Sequence, residues 1–375
     1  MKHGVRHVYV HLPFCAHRCG YCDFVTAVGR RDQHEAYVDA LLAELELEAE
    51  LLAPGIGTVF LGGGTPTFTA TDALARLLAA LPAAAELTVE TNPETVTSEL
   101  ARLLRGARVN RISLGAQSFR PHLLEVLERR ATPDAVRAAV YVLRDAGFDN
   151  ISLDLLYGIP GQSPADLAAD LADAASLEPE HLSCYELEAK PGTRFTHAQG
   201  DELARQAEAM EGYFEQVVET LTGLGYRWYE TSNFCLEPGR GGGRDLRAHH
   251  NLAYWQARDY LGLGIGAVST VAGVRWRNTP SLVKYLGALA ARERPPRDVE
   301  VLDRETSSRE RMLLGLRLDE PLALDAVRDV LDEGAAERLR RGGLVELGES
   351  VSGGTLGLTR RGRFLGGGVT AELVV

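Results

Sequence analysis

Residues 7–22, HVYVHLPFCAHRCGYC, place a short apolar and β-branched run directly before three cysteines, and the rest of the reading follows from that junction. His7 to Leu12 reads as a β-strand, bounded by Pro13. The loop after it carries Cys15, Cys19 and Cys22 in a CxxxCxxC spacing. Three thiolates on one tight loop can each take one iron of a cubane, which leaves the fourth iron of a [4Fe-4S] cluster without a protein ligand. The alternative is a zinc site completed by His11 or His17, although structural zinc usually takes paired CxxC knuckles and four protein ligands. Five cysteines is an odd number, and three within eight residues point to metal rather than to disulfides. Cys184 and Cys235 lack ligand spacing and read as small buried residues.

Outward from this junction, strand-like runs alternate with helix-period segments to about residue 230, the pattern of repeated βα units. Six strands are expected: His7 to Leu12, Thr58 to Leu61, Leu87 to Glu90, Asn110 to Leu114, Ile151 to Leu155 and His181 to Glu186. Helices are expected over His34 to Leu52 and Pro164 to Ala175, the second opened by Ser163 as N-cap. The fold class is α/β, and six units with right-handed crossovers make a partial (β/α)6 TIM-like barrel; an open doubly wound sheet is the alternative. Residues 236–245 form a Gly-rich charged loop, and 292–297, RERPPR, read as a linker. The expected division is a core at 1–295 and a small domain at 300–375. In the small domain, short helices and a hairpin of Gly343 to Leu347 with Thr355 to Thr359 suggest a winged-helix-like α+β module.

The formal net charge of −12 over 375 residues argues against nucleic acid and anionic membranes, since neutralising phosphates takes a basic face. His7 and His11 interrupt the amino-terminal apolar run, which is too short for a secretory segment, and no stretch approaches membrane-spanning length. A cytoplasmic location is the expectation.

Polar residues recur where the predicted strands end, which is where parallel α/β folds build sites. Gly62-Gly63-Gly64-Thr65-Pro66 follows the second strand, Glu90 ends the third, Gln117 follows the fourth in SLGAQSF and Asp154 ends the fifth. With CxxxCxxC, this set resembles the radical S-adenosylmethionine (SAM) superfamily, in which the open iron is chelated by SAM. The resemblance implies SAM contacts at Tyr9, Tyr21, Gly63, Gly64, Thr65, Glu90, Gln117, Arg129 and Asp154, with the GGGTP segment at the SAM amino group. It also makes Cys15, Cys19 and Cys22 the cluster ligands.

Within the superfamily the chain is similar to the oxygen-independent coproporphyrinogen III oxidase branch along essentially its whole length. The oxidase carries a fourth cysteine two residues after the third and a longer amino-terminal extension. Here Asp23 and Phe24 follow Cys22, and Tyr9 lies near the chain start. Both departures resemble the heme chaperone family HemW, as does His250-Asn251-Leu252-Ala253-Tyr254-Trp255, an HNxxYW motif. Imidazole is a natural heme ligand and aromatic rings can cover a porphyrin face, so His250, Asn251, Tyr254 and Trp255 are the candidate heme contacts. A hydrogen-bonded His249–His250 pair shaping a loop is the plain alternative.

Gly262-x-Gly264-x-Gly266 lacks the βαβ placement of a dinucleotide site and is similar to the family segment that closes over the SAM adenine. The resemblance implies a chaperone that passes heme to apo-hemoproteins such as respiratory enzymes. An electron donor for the cluster and a homodimer are compatible with it. The rival reading is an active oxidase that decarboxylates coproporphyrinogen III to protoporphyrinogen IX.

Overall fold

The computed structural model describes residues 4–188, 190, 193–195, 206, 209–350 and 353–375. Six parallel strands form the central arc: β1 (His7–Leu12), β2 (Ile56–Gly63), β3 (Ala84–Thr91), β4 (Arg111–Gln117), β5 (Ile151–Tyr157) and β6 (His181–Glu186). The crossover helices between them include α1 (His34–Leu47), α2 (Thr71–Ala80), α3 (Ser98–Gly106), α4 (Pro133–Asp145) and α5 (Pro164–Ser176). Strand alternation divides the arc into two faces. Val8 and Val10 of β1 are fully buried under the helices, while the His7 and Tyr9 rings meet Thr58 and Phe60 of β2 on the concave side. Helix α5 starts where expected, because Ser163 and Asp166 form a reciprocal capping box.

The arc is longer than six strands. The three-residue strand β9 (Leu261–Leu263) pairs in parallel with β1, so Gly262 lies beside Tyr9. At the other edge, β8 (Asn233–Leu236) runs antiparallel to β6, and β7 (Tyr226–Trp228) runs antiparallel to β8. Helix α6 (Met210–Gly223) precedes β7, and α7 (His249–Trp255) lies between β8 and β9.

The expected linker at 292–297 ends inside a strand. A second sheet joins β10 (Val268–Val271), β11 (Val274–Asn278) and β12 (Arg297–Val301), with α8 (Leu282–Ala290) between β11 and β12. Arg294 and Arg297 both donate to the buried Glu48 carboxylate, so charge pairing ties down what its prolines suggested was free.

Beyond it, α9 (Arg304–Gly315), β13 (Leu322–Ala323), α10 (Glu333–Arg341), β14 (Val345–Ser350), β15 (Gly353–Leu358) and α11 (Gly366–Leu373) surround a second hydrophobic cluster. Met312, Leu316, Val330, Leu339, Leu356 and Leu373 are among its members. The hairpin strands lie close to the expected spans, the first starting two residues later and ending three later, the second starting two earlier and ending one earlier.

Candidate cluster and cofactor site

Cys15 ends the short strand Phe14–Cys15, which pairs with Ala27–Val28 and folds the cysteine loop back over the end of β1. His11 fastens the loop's return: its Nε2 donates to Val25 O at 2.8 Å, while its Nδ1 accepts from the Tyr9 hydroxyl at 3.1 Å. Only a side-chain-free residue fits beside that ring. A Cβ on Gly63, at φ +113°, would lie 2.5 Å from His11, and one on Gly64 would lie 2.9 Å from Cys15 Sγ.

The three cysteines are free thiols on this loop. Burial pushes the Cys15 thiol up to about 11, opposed by its contact with Thr65; Cys22 is also raised, chiefly by burial. Among the described residues no three His, Cys, Asp or Glu side chains converge on a single ion, as a zinc site would need. Three sulfurs that each take a different iron of one cubane surround a cluster and need not meet at a single ion. Arg129 and Thr65 both approach these sulfurs, and a recess of about 200 Å³ runs to Cys19 between His17, Phe68, Asn92, Glu94 and Arg130. Chemistry and access both fit a cubane.

The remaining candidates for SAM gather at the same carboxyl end of the arc. Glu90 Oε2 accepts Gly63 N at 3.0 Å and faces Tyr9 and Asp154. Burial, then the Asp154 charge, push Glu90 up to about 8, with Gly63 N–H and Arg111 acting the other way. Asp154 is raised as well, chiefly by burial, and accepts from Ser113 at 2.8 Å and Ser152 at 3.3 Å. Gln117 sits at a register shift in β4 with φ +66°, which aims its side chain back over Gly115. Tyr21 packs against the small apolar cluster of Leu123, Leu127, Leu156, Ile159, Leu187 and Phe195, beside Arg129 and Cys19.

Asn92 was missed. It lies two residues beyond Glu90, and it joins Thr65 to Arg129. Its position in the same VETNPE run as Glu90 was the available signal.

Helix α7 lies at the opposite, amino-terminal mouth. Glu86, early in β3, accepts the backbone N–H groups of His249 and His250 at 3.0 Å each. The His250 ring is 1% exposed and stacks on Phe60; its Nδ1 meets Thr58 Oγ1 at 2.8 Å and its Nε2 meets Tyr254 OH at 2.9 Å. Burial lowers it to about 3, so the ring is neutral. Both ring nitrogens are thus occupied in this conformation. Trp255 is partly buried with Arg317 4.3 Å from its ring centroid, and Asn251 is partly exposed. Cys184 and Cys235 are buried, and Gln162 closes the 157–162 turn by accepting Gly158 N at 2.7 Å.

A cysteine loop at the carboxyl end of a parallel arc, faced by a glycine run, by Glu90 near the end of β3 and by Asp154, which lies midway along β5 rather than at its expected end, is the arrangement of a radical SAM protein. Residues 9–174 match the sequence profile of the radical SAM superfamily. The chain belongs to that superfamily and, within it, to the HemW family. It is 36% identical over 380 residues to "Heme chaperone HemW" of Mycobacterium tuberculosis, covering 98% of this chain and 94% of that protein. With the protein of the same name from Escherichia coli it shares 37% identity over 268 residues, 69% of this chain and 68% of that one. The structure titled "Coproporphyrinogen III oxidase (HemN) from Escherichia coli is a Radical SAM enzyme" shares the fold at TM-score 0.80, covering 99% of this chain and 90% of that one at 23% identity. Superfamily membership implies a [4Fe-4S] cluster and SAM.

Proposed function

We propose that this chain is a heme chaperone, which binds heme and transfers it to apo-hemoproteins such as respiratory enzymes. The observation that carries this is similarity over 98% of the chain to a protein named as a heme chaperone. Asp23 and Phe24 in place of a fourth cysteine, and the HNxxYW helix, support it.

Cys15, Cys19 and Cys22 hold the cluster, and Tyr9, Tyr21, Gly63, Gly64, Thr65, Glu90, Gln117, Arg129 and Asp154 hold SAM. The cluster, when bound, supplies one electron at a time; the chain orients SAM against it and screens it from water. Heme is taken up at α7, with His250, Asn251, Tyr254 and Trp255 as its contacts. For His250 to reach iron, its bond to Thr58 or to Tyr254 must first open.

The division into a core of 1–295 and a small domain of 300–375 is read with one shift, since β12 (Arg297–Val301) pairs with β11 and belongs to the core side. An electron donor, a homodimer and a cytoplasmic location complete the reading; among the described residues no helix is long and apolar enough to cross a membrane.

Anaerobic reconstitution with iron and sulfide, followed by heme titration and a coproporphyrinogen turnover assay, tests the function. Stoichiometric heme binding without turnover is expected, whereas turnover restores the oxidase reading. The variant His250→Ala should lose the Soret shift of ligated heme. Unaltered binding there removes His250 as ligand and leaves the chaperone reading standing.

A further inference from the structure

The cysteine sulfurs are approached by two hydrogen-bond donors, and one side chain governs both. Thr65 Oγ1 lies 3.7 Å from Cys15 Sγ, and Arg129 Nη1 lies 3.7 Å from Cys19 Sγ. Between them stands Asn92, with Nδ2 2.8 Å from Thr65 Oγ1 and Oδ1 2.8 Å from Arg129 Nη2.

Two bonds of this arch have a fixed direction, and the third follows once Cys15 is a cluster-bound thiolate, which can only accept from Thr65. A guanidinium only donates, so the Asn92 carbonyl oxygen must face Arg129 and its amide nitrogen must face Thr65. The Thr65 oxygen therefore accepts from Asn92, which frees its own hydrogen to point at Cys15. Arg129 is held by a second acceptor, Gly115 O at 2.9 Å, and the fork so fixed turns Nη1 toward Cys19. Asn92 is itself immobilised at the start of the Pro93–Thr95 turn, where its backbone oxygen accepts Thr95 N at 3.0 Å and Thr95 Oγ1 at 2.7 Å.

Hydrogen bonds to cluster sulfurs stabilise the more electron-rich oxidation state, and groups one step behind the ligands tune a metal centre by orienting such donors. We propose that Asn92 is a positioning residue that poises the cluster: one amide sets a hydroxyl on the Cys15 sulfur and a guanidinium on the Cys19 sulfur, raising the reduction potential. The inference rests on the reading that Cys15, Cys19 and Cys22 hold the cluster.

The test uses full-length protein reconstituted anaerobically and kept free of SAM, with iron and sulfide contents measured for each variant. Midpoint potentials come from mediator-poised titrations followed by electron paramagnetic resonance. Asn92→Ala should retain iron and sulfide and shift the midpoint to more negative potential. Thr65→Val, which removes only the Cys15 arm, should give a smaller shift in the same direction.

Because Asn92 acts through Thr65, the double variant should fall short of the sum of the two. An unchanged midpoint in Asn92→Ala at full iron content overturns the proposal, as does strict additivity. If Asn92→Ala cannot hold iron, Thr65→Val carries the test, and an unchanged potential there overturns it. Failure of the wild-type chain to take up any cluster rejects the ligand reading itself, an outcome separable by its iron content.

Discussion

Glu90 shows how one buried side chain gives the whole chain a pH dependence. Its carboxyl rises from an ordinary value of 4.5 to about 8, through burial first and the facing Asp154 second. Below pH 4.5 it is protonated in both folded and unfolded chains, so it contributes no pH dependence. Between pH 4.5 and 8 the unfolded chain has released that proton and the folded chain has kept it. The folded state then binds more protons, and stability falls as pH rises through the window. Glu90→Gln should therefore flatten the decline in melting temperature between pH 5 and 8, the two proteins differing most near pH 8. Equal slopes would refute the shifted carboxyl. Residues of this kind were only half legible in sequence. Glu90 could be picked out because it closes a strand-like run, as the cysteines could because their spacing is local. Asn92 shares the VETNPE run with Glu90, but its role was not legible there, since it depends on Thr65 and Arg129, 27 and 37 residues away.

Among elements, the strands and helices of the βα units were legible and the short ones beyond them were not, although β2 and β3 run to eight residues where four were expected and α1 stops at Leu47 rather than Leu52. Strands β1 and β6 fall on their expected limits and α5 ends one residue later, because apolar runs and a capping box mark them. Strand β9 has three residues and the β10–β12 sheet has strands of four or five, too brief for a period to emerge. What holds these pieces is a carboxylate in an unremarked position of α1. Glu44 is fully buried; it accepts Tyr285 OH at 2.6 Å, Gly264 N at 2.8 Å and Asn278 Nδ2 at 2.7 Å. It thereby pins α8, the end of β9 and β11 to one helix. Glu44→Ala leaves Tyr285 OH and Gly264 N without this acceptor, leaves Asn278 Nδ2 with Gly264 O alone, and opens a cavity, so a loss of about 3 kcal/mol or more is expected. Urea denaturation reads it directly: a midpoint within error of wild type would show that these contacts carry no weight.

Across the whole molecule, the carboxyl-terminal module and the amino-terminal mouth of the arc are joined by charge. A change of pattern after residue 300 revealed that a module was there, but its docking was hidden, because the partners lie far apart in the chain. Arg227 of β7 makes a paired contact with Asp319, 92 residues on, at 2.7 and 2.8 Å. Arg317, just past α9, reaches the buried Glu230 at 3.5 Å and lies over the ring of Trp255 at 4.3 Å. The module thus covers one face of the aromatic ring that the proposed heme site would use. A flat porphyrin and a guanidinium cannot occupy that face together, so heme stacked there would displace Arg317 and give up its cation–π contact, about 0.5–2 kcal/mol. Arg317→Met keeps most of the side-chain volume while removing the charge and the fork. Heme quenching of tryptophan fluorescence, followed in stopped flow, should then be several-fold faster than in the wild type. The acceleration should vanish in an Arg317→Met, Trp255→Phe double variant, whose remaining tryptophans lie elsewhere. Identical rates in wild type and Arg317→Met would mean that heme reaches the chain by a face the module does not cover.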